Sequence, residues 1–245
     1  MDLKGETSDY EIVGAGPSGL ASAIVLAKAG KRVVIHEAKS EVGARFQKDF
    51  QGLENWTDKR NVLETLSSYG IETNFNYKAC SVGMAYDAFG NEFPVNSEQP
   101  LFYMVERGPN QGSLDKSLLE QALEVGVTIK YNSKVTSFEN NGILACGPKA
   151  ADAIAVGYHF STSYKDGFWV ICDDNLAPKG YSYLLVWNGR GTIKSCMFTG
   201  FKHWKKYVEK TVDKFKYLLG IDIKSPVLHS GIGNFSLPHS AYTGI

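Results

Sequence analysis

The stretch Val13-Gly14-Ala15-Gly16-Pro17-Ser18-Gly19-Leu20 constrains this chain more than any other. A Gly-x-Gly-x-x-Gly spacing alone is weak evidence, and its surroundings give it meaning. A short apolar run, Tyr10, Ile12 and Val13, leads into the glycines, and a helix-like run from Leu20 to Ala29 leads out. A second apolar run, Val33-Val34-Ile35, ends at His36-Glu37. That order predicts strand, tight turn, helix and strand, the unit that holds a dinucleotide at a helix end. Gly14 permits the turn, Gly16 lets the backbone approach a pyrophosphate, and Gly19 lets the helix pack close to the strand. Pro17 suits the first helical position because its missing N–H would have had no intrahelical partner. The other free N–H groups and the positive helix end face the phosphates. Glu37 follows Gly19 by 18 residues, where a carboxylate reaches a ribose hydroxyl. The first strand is expected to be short, since Glu11 interrupts it and Asp9 closes it.

Composition narrows the remaining classes. A chain of 245 residues buries a full core, as one large domain or two small ones. Its 26 basic and 26 acidic side chains cancel, which gives no support to bulk nucleic-acid binding. The four cysteines, Cys80, Cys146, Cys172 and Cys196, stand far apart with no Cys-x-x-Cys and no His at metal spacing, so they read as reduced thiols and no metal site is expected. No apolar run reaches the length of a bilayer span, and residues 1–9 are polar rather than signal-like. The expectation is a cytoplasmic protein.

Along the chain, Leu20, Ile24 and Ala27 mark the buried face of the first helix, which Gly30 stops. Ala38 to Asp58 reads as an irregular loop. Arg60 to Ser68 reads as a helix turning Val62, Leu63 and Leu66 inward, ended by Gly70. Asn74 to Arg107 alternates and is rich in aromatics, with a hairpin turn at Gly90-Asn91, and predicts antiparallel strands. Leu114 to Val125 is the next helix, and Val127 to Lys130 a buried strand returning to the first sheet. Lys134 to Phe138 and Ile143 to Cys146 flank Asn140-Asn141-Gly142, a hairpin signal.

After Pro148 a second β-rich block begins. Its strand candidates are Ile154 to Thr162, Gly167 to Cys172, Tyr181 to Trp187 and Thr192 to Thr199, with Asn188-Gly189 turning between the last two. Tyr181, Tyr183, Leu185 and Trp187 share one face by period two, suited to protein packing or to a large apolar ligand. Residues 201–219 are amphipathic, with Phe201, Trp204, Val208, Val212, Phe215 and Leu219 on one stripe and lysines opposite. A core-facing stripe is the leading reading and weak contact with a membrane surface the other. The tail carries Gly231-Ile232-Gly233 and Pro238 without a closing helix.

An aromatic antiparallel insert interrupts the opening α/β pattern before the sheet resumes, unlike the usual nicotinamide dehydrogenase. Over residues 9–200 the chain resembles the flavoprotein superfamily of aromatic-ring hydroxylases and, more closely, the geranylgeranyl reductase-like enzymes. Four pieces carry the resemblance: Gly14-Ala15-Gly16-Pro17-Ser18-Gly19 with Glu37; Glu106-Arg107 before the Leu114 helix; Gly126-Val127-Thr128-Ile129 with Lys134-Val135; and Ala145-Cys146-Gly147-Pro148. The resemblance implies an α/β fold, with a Rossmann-like FAD-binding parallel sheet and helices plus an antiparallel substrate-covering sheet. Residues 1–75 and 104–153 would form the FAD-binding part, and 76–103 and 154–245 the other.

The same resemblance implies FAD, with Glu37 and the adjoining Ala38 at the adenosine ribose and the backbone of Gly14, Ala15, Gly16, Pro17, Ser18 and Gly19 at the pyrophosphate. Arg107 would approach the flavin or its phosphates, a guanidinium being able to pair bidentately with phosphate; a salt bridge to Glu106 is the alternative. Arg45 has a similar claim, Val135 would touch adenine by its backbone, and Gly147 would pass close to the cofactor. NAD(P)H is the electron donor such an enzyme uses, and an apolar small molecule, such as an isoprenoid double bond, the substrate it reduces.

Two departures stand out. The superfamily's Asp-Gly pair is replaced by Cys146-Gly147, and the strand with its Gly-Asp or Gly-Glu motif would begin about where Ser240 to Ile245 end the sequence. The expectation is a chain truncated at its C-terminus. His36, His159, His203, His229 and His239 form no recognisable catalytic constellation, and no Gly-x-Ser-x-Gly elbow supports a hydrolase. The alternatives are a flavin monooxygenase of aromatic substrates, a non-catalytic nucleotide-binding module, and an NAD dehydrogenase.

Overall fold

The computed structural model describes residues 8–135, 138, 141–147 and 150–234. The opening unit folds as its glycines demand. Strand β1 (Tyr10–Val13) enters the Gly14 turn, helix α1 (Pro17–Lys28) leaves it, and β2 (Val33–His36) returns parallel to β1. Asp9 ends the short β1 and ties it to its neighbour, accepting from the Arg32 backbone N–H and guanidinium, each at 2.9 Å. Leu20, Ala23 and Ile24 are buried, while Ala27 packs at the margin of that core.

The parallel sheet gains two more strands from far along the chain. β8 (Thr128–Lys130) pairs with β2 and β9 (Asn141–Leu144) with β1, giving the order β8-β2-β1-β9. Helix α3 (Leu114–Glu124) lies against α1, its N-terminus capped by Ser113, whose hydroxyl accepts from Lys116 N at 3.1 Å. Ile143 and Leu144 lie in β9, which pairs parallel with β1, while the hairpin expected at Asn140-Asn141-Gly142 falls partly on residues outside the described ones. Lys134 and Val135 are in no strand, and residues 136, 137, 139, 140 and 148 lie outside the described ones. β8 is also not buried throughout: Thr128 and Lys130 are exposed, as befits an edge strand.

A three-stranded antiparallel sheet comes next, formed by β3 (Phe50–Glu54), β4 (Tyr77–Cys80) and β7 (Phe102–Glu106) in the order β3-β7-β4. β3 corrects the irregular reading of Ala38 to Asp58. Its two apolar residues, buried Phe50 and half-buried Leu53, are three apart and fall on opposite faces, so no period-two signal marks it. Helix α2 (Val62–Ser68) is capped by Asn61 and sets Leu63 and Leu66 against the first core.

The largest sheet has seven strands: β5 (Val82–Asp87), β6 (Glu92–Asn96), β10 (Ala153–Ser161), β11 (Gly167–Cys172), β12 (Tyr181–Trp187), β13 (Arg190–Met197) and β14 (Lys224–Gly233), ordered β14-β10-β13-β12-β11-β5-β6. Its strands pair antiparallel except that β5 runs parallel to β11, which corrects the wholly antiparallel expectation for 74–107. Asn188 (φ 50°) and Gly189 (φ 71°) make the tight β12–β13 turn. The tail, in which no closing helix is expected, forms strand β14; Pro238 and residues 240–245 lie outside the described residues.

After a 3-10 turn at Phe201–His203, helix α4 (Trp204–Leu219) covers one face of this sheet, burying Val208, Thr211 and Phe215. The stripe therefore points at protein. On the opposite face Leu185, Tyr183 and Trp187 join a core with Phe50 and Met104 of the three-stranded sheet, while Tyr181 remains 41% exposed. Among the described residues no helix is long and apolar enough to cross a membrane.

Candidate functional site: a cleft at the carboxyl edge of the parallel sheet

β1, β2 and β9 all end at the same edge, so the Gly14 turn, Glu37 and Ala145–Gly147 converge there. They form one wall of a cleft of about 1080 Å³. Gly14 to Ser18, Glu37, Ala38, Arg45, Arg107, Val135 and Gly147 all line it; of the residues singled out in the sequence, Gly19 alone stands behind.

The three loop glycines serve three different needs. Gly14 has φ +103° and sits where a Cβ would come 2.7 Å from the Ala145 carbonyl oxygen. A Cβ at Gly19 would overlap the Gly14 carbonyl, so its hydrogen side lets α1 seat on the turn. Gly16 needs neither: its φ of −77° suits any residue, and a Cβ there would meet no protein atom within 4 Å. The open space in front of Gly16 faces the cleft, at the N-terminus of α1, which no side chain caps. A pyrophosphate fits that space, since its charge meets the positive helix end and its bulk meets no side chain.

Glu37 is held rather than loose. Its Oε2 accepts from Ala15 N at 2.8 Å and its Oε1 from Lys39 N at 2.9 Å. A carboxylate accepts about four hydrogen bonds, so roughly two lone-pair positions stay available to ribose hydroxyls.

Arg107 is buried against Phe46, its guanidinium 4.2 Å from the ring centroid. Its Nε and Nη2 donate to Asp115 at 2.7 and 2.9 Å, and Nη1 donates to Gln51 Oε1 at 2.7 Å. The fork that would grip a phosphate bidentately is thus engaged by Asp115. The sequence suggested Glu106 as the protein partner, but Glu106 pairs with Arg190 across the sheets. Arg45 is exposed, with Nη1 3.9 Å from where a Gly147 Cβ would stand, and is the more available of the two cations. The four cysteines are free thiols, and Cys146 rests near the Val13 carbonyl.

Sequence reasoning missed a second group. Asp49, before β3, is fully buried and meets three residues of the large sheet: Lys194 Nζ at 2.6 Å, His159 Nδ1 at 3.5 Å and His229 Nδ1 at 3.5 Å. Burial lowers the pKa of both histidines, His159 to about 4, and the Asp49 charge only partly opposes this. Burial also lowers the Lys194 pKa, with Asp49 holding the proton on. Asp49, His159 and His229 present three ligand atoms within 4.8 Å of one another, a spacing that suits a metal ion. The Lys194 ammonium stands between two of them, so the protein's own cation occupies that position. No local pattern joins residues 49, 159, 194 and 229. The one available signal was Lys194, a charged residue at a position where neighbouring strand residues are apolar or small.

Known proteins resemble this chain in sequence over a short stretch or in fold over most of it. Thiamine thiazole synthase of Thermococcus kodakarensis is 36% identical over 64 residues, 26% of each chain. The geranylgeranyl bacteriochlorophyll reductase-like protein of Thermoplasma acidophilum superposes over 93% of this chain with a TM-score of 0.71 and 17% identity. The p-nitrophenol 4-monooxygenase of Pseudomonas putida superposes over 91% with a TM-score of 0.63 and 14% identity. The chain spans 66% of the reductase-like protein and 67% of the monooxygenase. At those identities the likeness concerns the fold. Residues 7–143, more than half of the chain, match the family model described as FAD binding domain, and the chain belongs to that family.

Proposed function

We propose that this chain is the cofactor-binding and substrate-covering portion of an FAD-dependent oxidoreductase that passes hydride to or from a small apolar molecule, with NAD(P)H as electron donor. The open space at Gly16, glycine without a conformational or packing need, is the observation that carries the cofactor reading. Bound FAD supplies the hydride chemistry, and the protein binds, orients and excludes water. In this reading the N–H groups at the start of α1 hold the pyrophosphate, and the free lone pairs of Glu37 take the ribose hydroxyls. Ala38 flanks the ribose, and Val135 meets the adenine edge. Arg45 offers its guanidinium to phosphate, Arg107 acts through its remaining N–H groups, and Gly147 leaves room beside the flavin end. The division at residues 1–75 with 104–153 against 76–103 with 154–245 belongs to the same proposal. So does reduction of an isoprenoid double bond, supported by the reductase-like fold. Hydroxylation of an aromatic compound is the competing chemistry, because a p-nitrophenol monooxygenase shares the fold.

The test is the colour and chromophore of the purified chain. A yellow protein that releases FAD supports the reading, and Gly16→Val should then weaken FAD binding by at least about 100-fold with an unchanged circular dichroism spectrum. Retained flavin in that variant sinks the loop assignment. NADPH oxidation coupled to isoprenoid reduction, against oxygen consumption with a phenol, separates the two chemistries.

A further inference from the structure

Loop 38–49 walls the cleft through Glu41, Gly43, Ala44, Arg45 and Phe46. Its shape carries a conformational cost. Lys48 has φ +65°, in the left-handed region that disfavours a side chain, and the backbone passes so near Gly108 that a Cβ there would overlap the Phe46 carbonyl oxygen. Between Glu41 and Asp49 only Val42 is both apolar and buried. A strained segment persists only when its surroundings over-determine it.

Those surroundings include the Arg107 guanidinium on Phe46, the Arg107 backbone N–H to the Asp49 carbonyl and, from the large sheet, the buried ionic group. Lys194, on β13, is 98% buried by its side chain and donates to Asp49 Oδ2 at the base of the loop. An ammonium only donates, so its 3.0 Å contact to His229 makes Nδ1 of that ring the acceptor. The proton of the neutral His229 is then on Nε2, which faces the Arg45 carbonyl at 3.3 Å. The His229 ring also packs on Phe46 (5.8 Å) and His159 (4.8 Å). Thr192 completes the group: its hydroxyl accepts from Phe50 N at 3.1 Å and donates to Asp49 Oδ1 at 3.4 Å. One tautomer therefore satisfies the whole chain of bonds from Lys194 to the loop backbone.

We propose that Lys194 and His229 are positioning residues for the cofactor: through the Asp49 carboxylate and the Arg45 carbonyl they hold loop 38–49 in the shape that walls the FAD cleft. This rests on the FAD reading of the cleft. The large sheet then sets cofactor affinity from outside the cofactor's own contacts, since neither Lys194 nor His229 lines the cleft.

The experiment compares wild type, His229→Phe and His229→Gln. Phenylalanine keeps the ring contacts and deletes both polar ones. Glutamine offers an acceptor to Lys194 and a donor to the Arg45 carbonyl without a titrating ring. FAD affinity is read by fluorescence titration of the FAD-free chain. Amide hydrogen exchange is read at Phe46 and Lys48, whose N–H groups close the loop's internal bonds. His229→Phe should weaken FAD about tenfold and speed exchange at both amides about tenfold, the order expected for the net worth of the two hydrogen bonds it removes, while His229→Gln restores both. Unchanged exchange and affinity in His229→Phe overturn the proposal, as does a folded glutamine variant no better than phenylalanine. If His229→Phe fails to fold, the Asp49→Asn/Lys194→Met double variant, which removes both charges together, must show the same faster exchange. A wild type that binds no FAD overturns the function proposed above, and the exchange rates still decide whether the brace exists.

Discussion

The parallel sheet and the large mixed sheet both contribute charged or polar groups near the cleft, but they do so in opposite ways. In the first, the turn, the helix start and Glu37 all sit within residues 9–37, and the contact from outside that constrains the glycines most tightly is the Ala145 backbone against Gly14. In the second, Asp49, His159, Lys194 and His229 come from three strands and a loop up to 180 residues apart, and none has its partner until the sheet has formed. Local geometry makes a site that survives distant substitution, whereas an assembled site depends on the packing of the whole.

Breaking each region at its tightest point sharpens that contrast. Gly19→Ala should have the largest effect, because its Cβ would overlap a backbone oxygen that cannot move without undoing the turn. A loss on the order of 4 kcal/mol or more is expected in urea unfolding, with little folded protein near room temperature. Lys194→Met comes next. It strands a fully buried Asp49 charge and should cost about 3 kcal/mol, while adding Asp49→Asn should recover much of that loss in a double-mutant cycle.

Acid should loosen the second region before the first. The folded His159 titrates near 4 against an ordinary 6.5, so between those values the unfolded chain binds more protons and stability rises with pH. Stability should hold above about pH 6.5 and fall, by on the order of 1–3 kcal/mol, as pH drops toward 4. His229, also lowered, adds to the same slope, and His159→Asn should flatten it in thermal melts taken across that range. The smallest effect belongs to Phe89, 90% exposed at the β5–β6 turn: Phe89→Ser should change Tm by less than the equivalent of about 0.5 kcal/mol.

Legibility followed the same division. The strand, turn, helix and strand over residues 9–37 could be read because the glycine spacing and the apolar runs are both short-range. The Asn188-Gly189 turn and the stripe of α4 were legible for the same reason. β3 escaped because its register comes from β7 rather than from its own alternation.

The sequence by itself determined the glycine turn, the open helix start behind it and the carboxylate beside it, since those follow from backbone sterics over a few residues. Only the tertiary structure decided that Arg107 is engaged by Asp115 and that a buried lysine ties the cleft loop to the far sheet. Charges pair by distance in space, and no spacing along the chain encodes that distance.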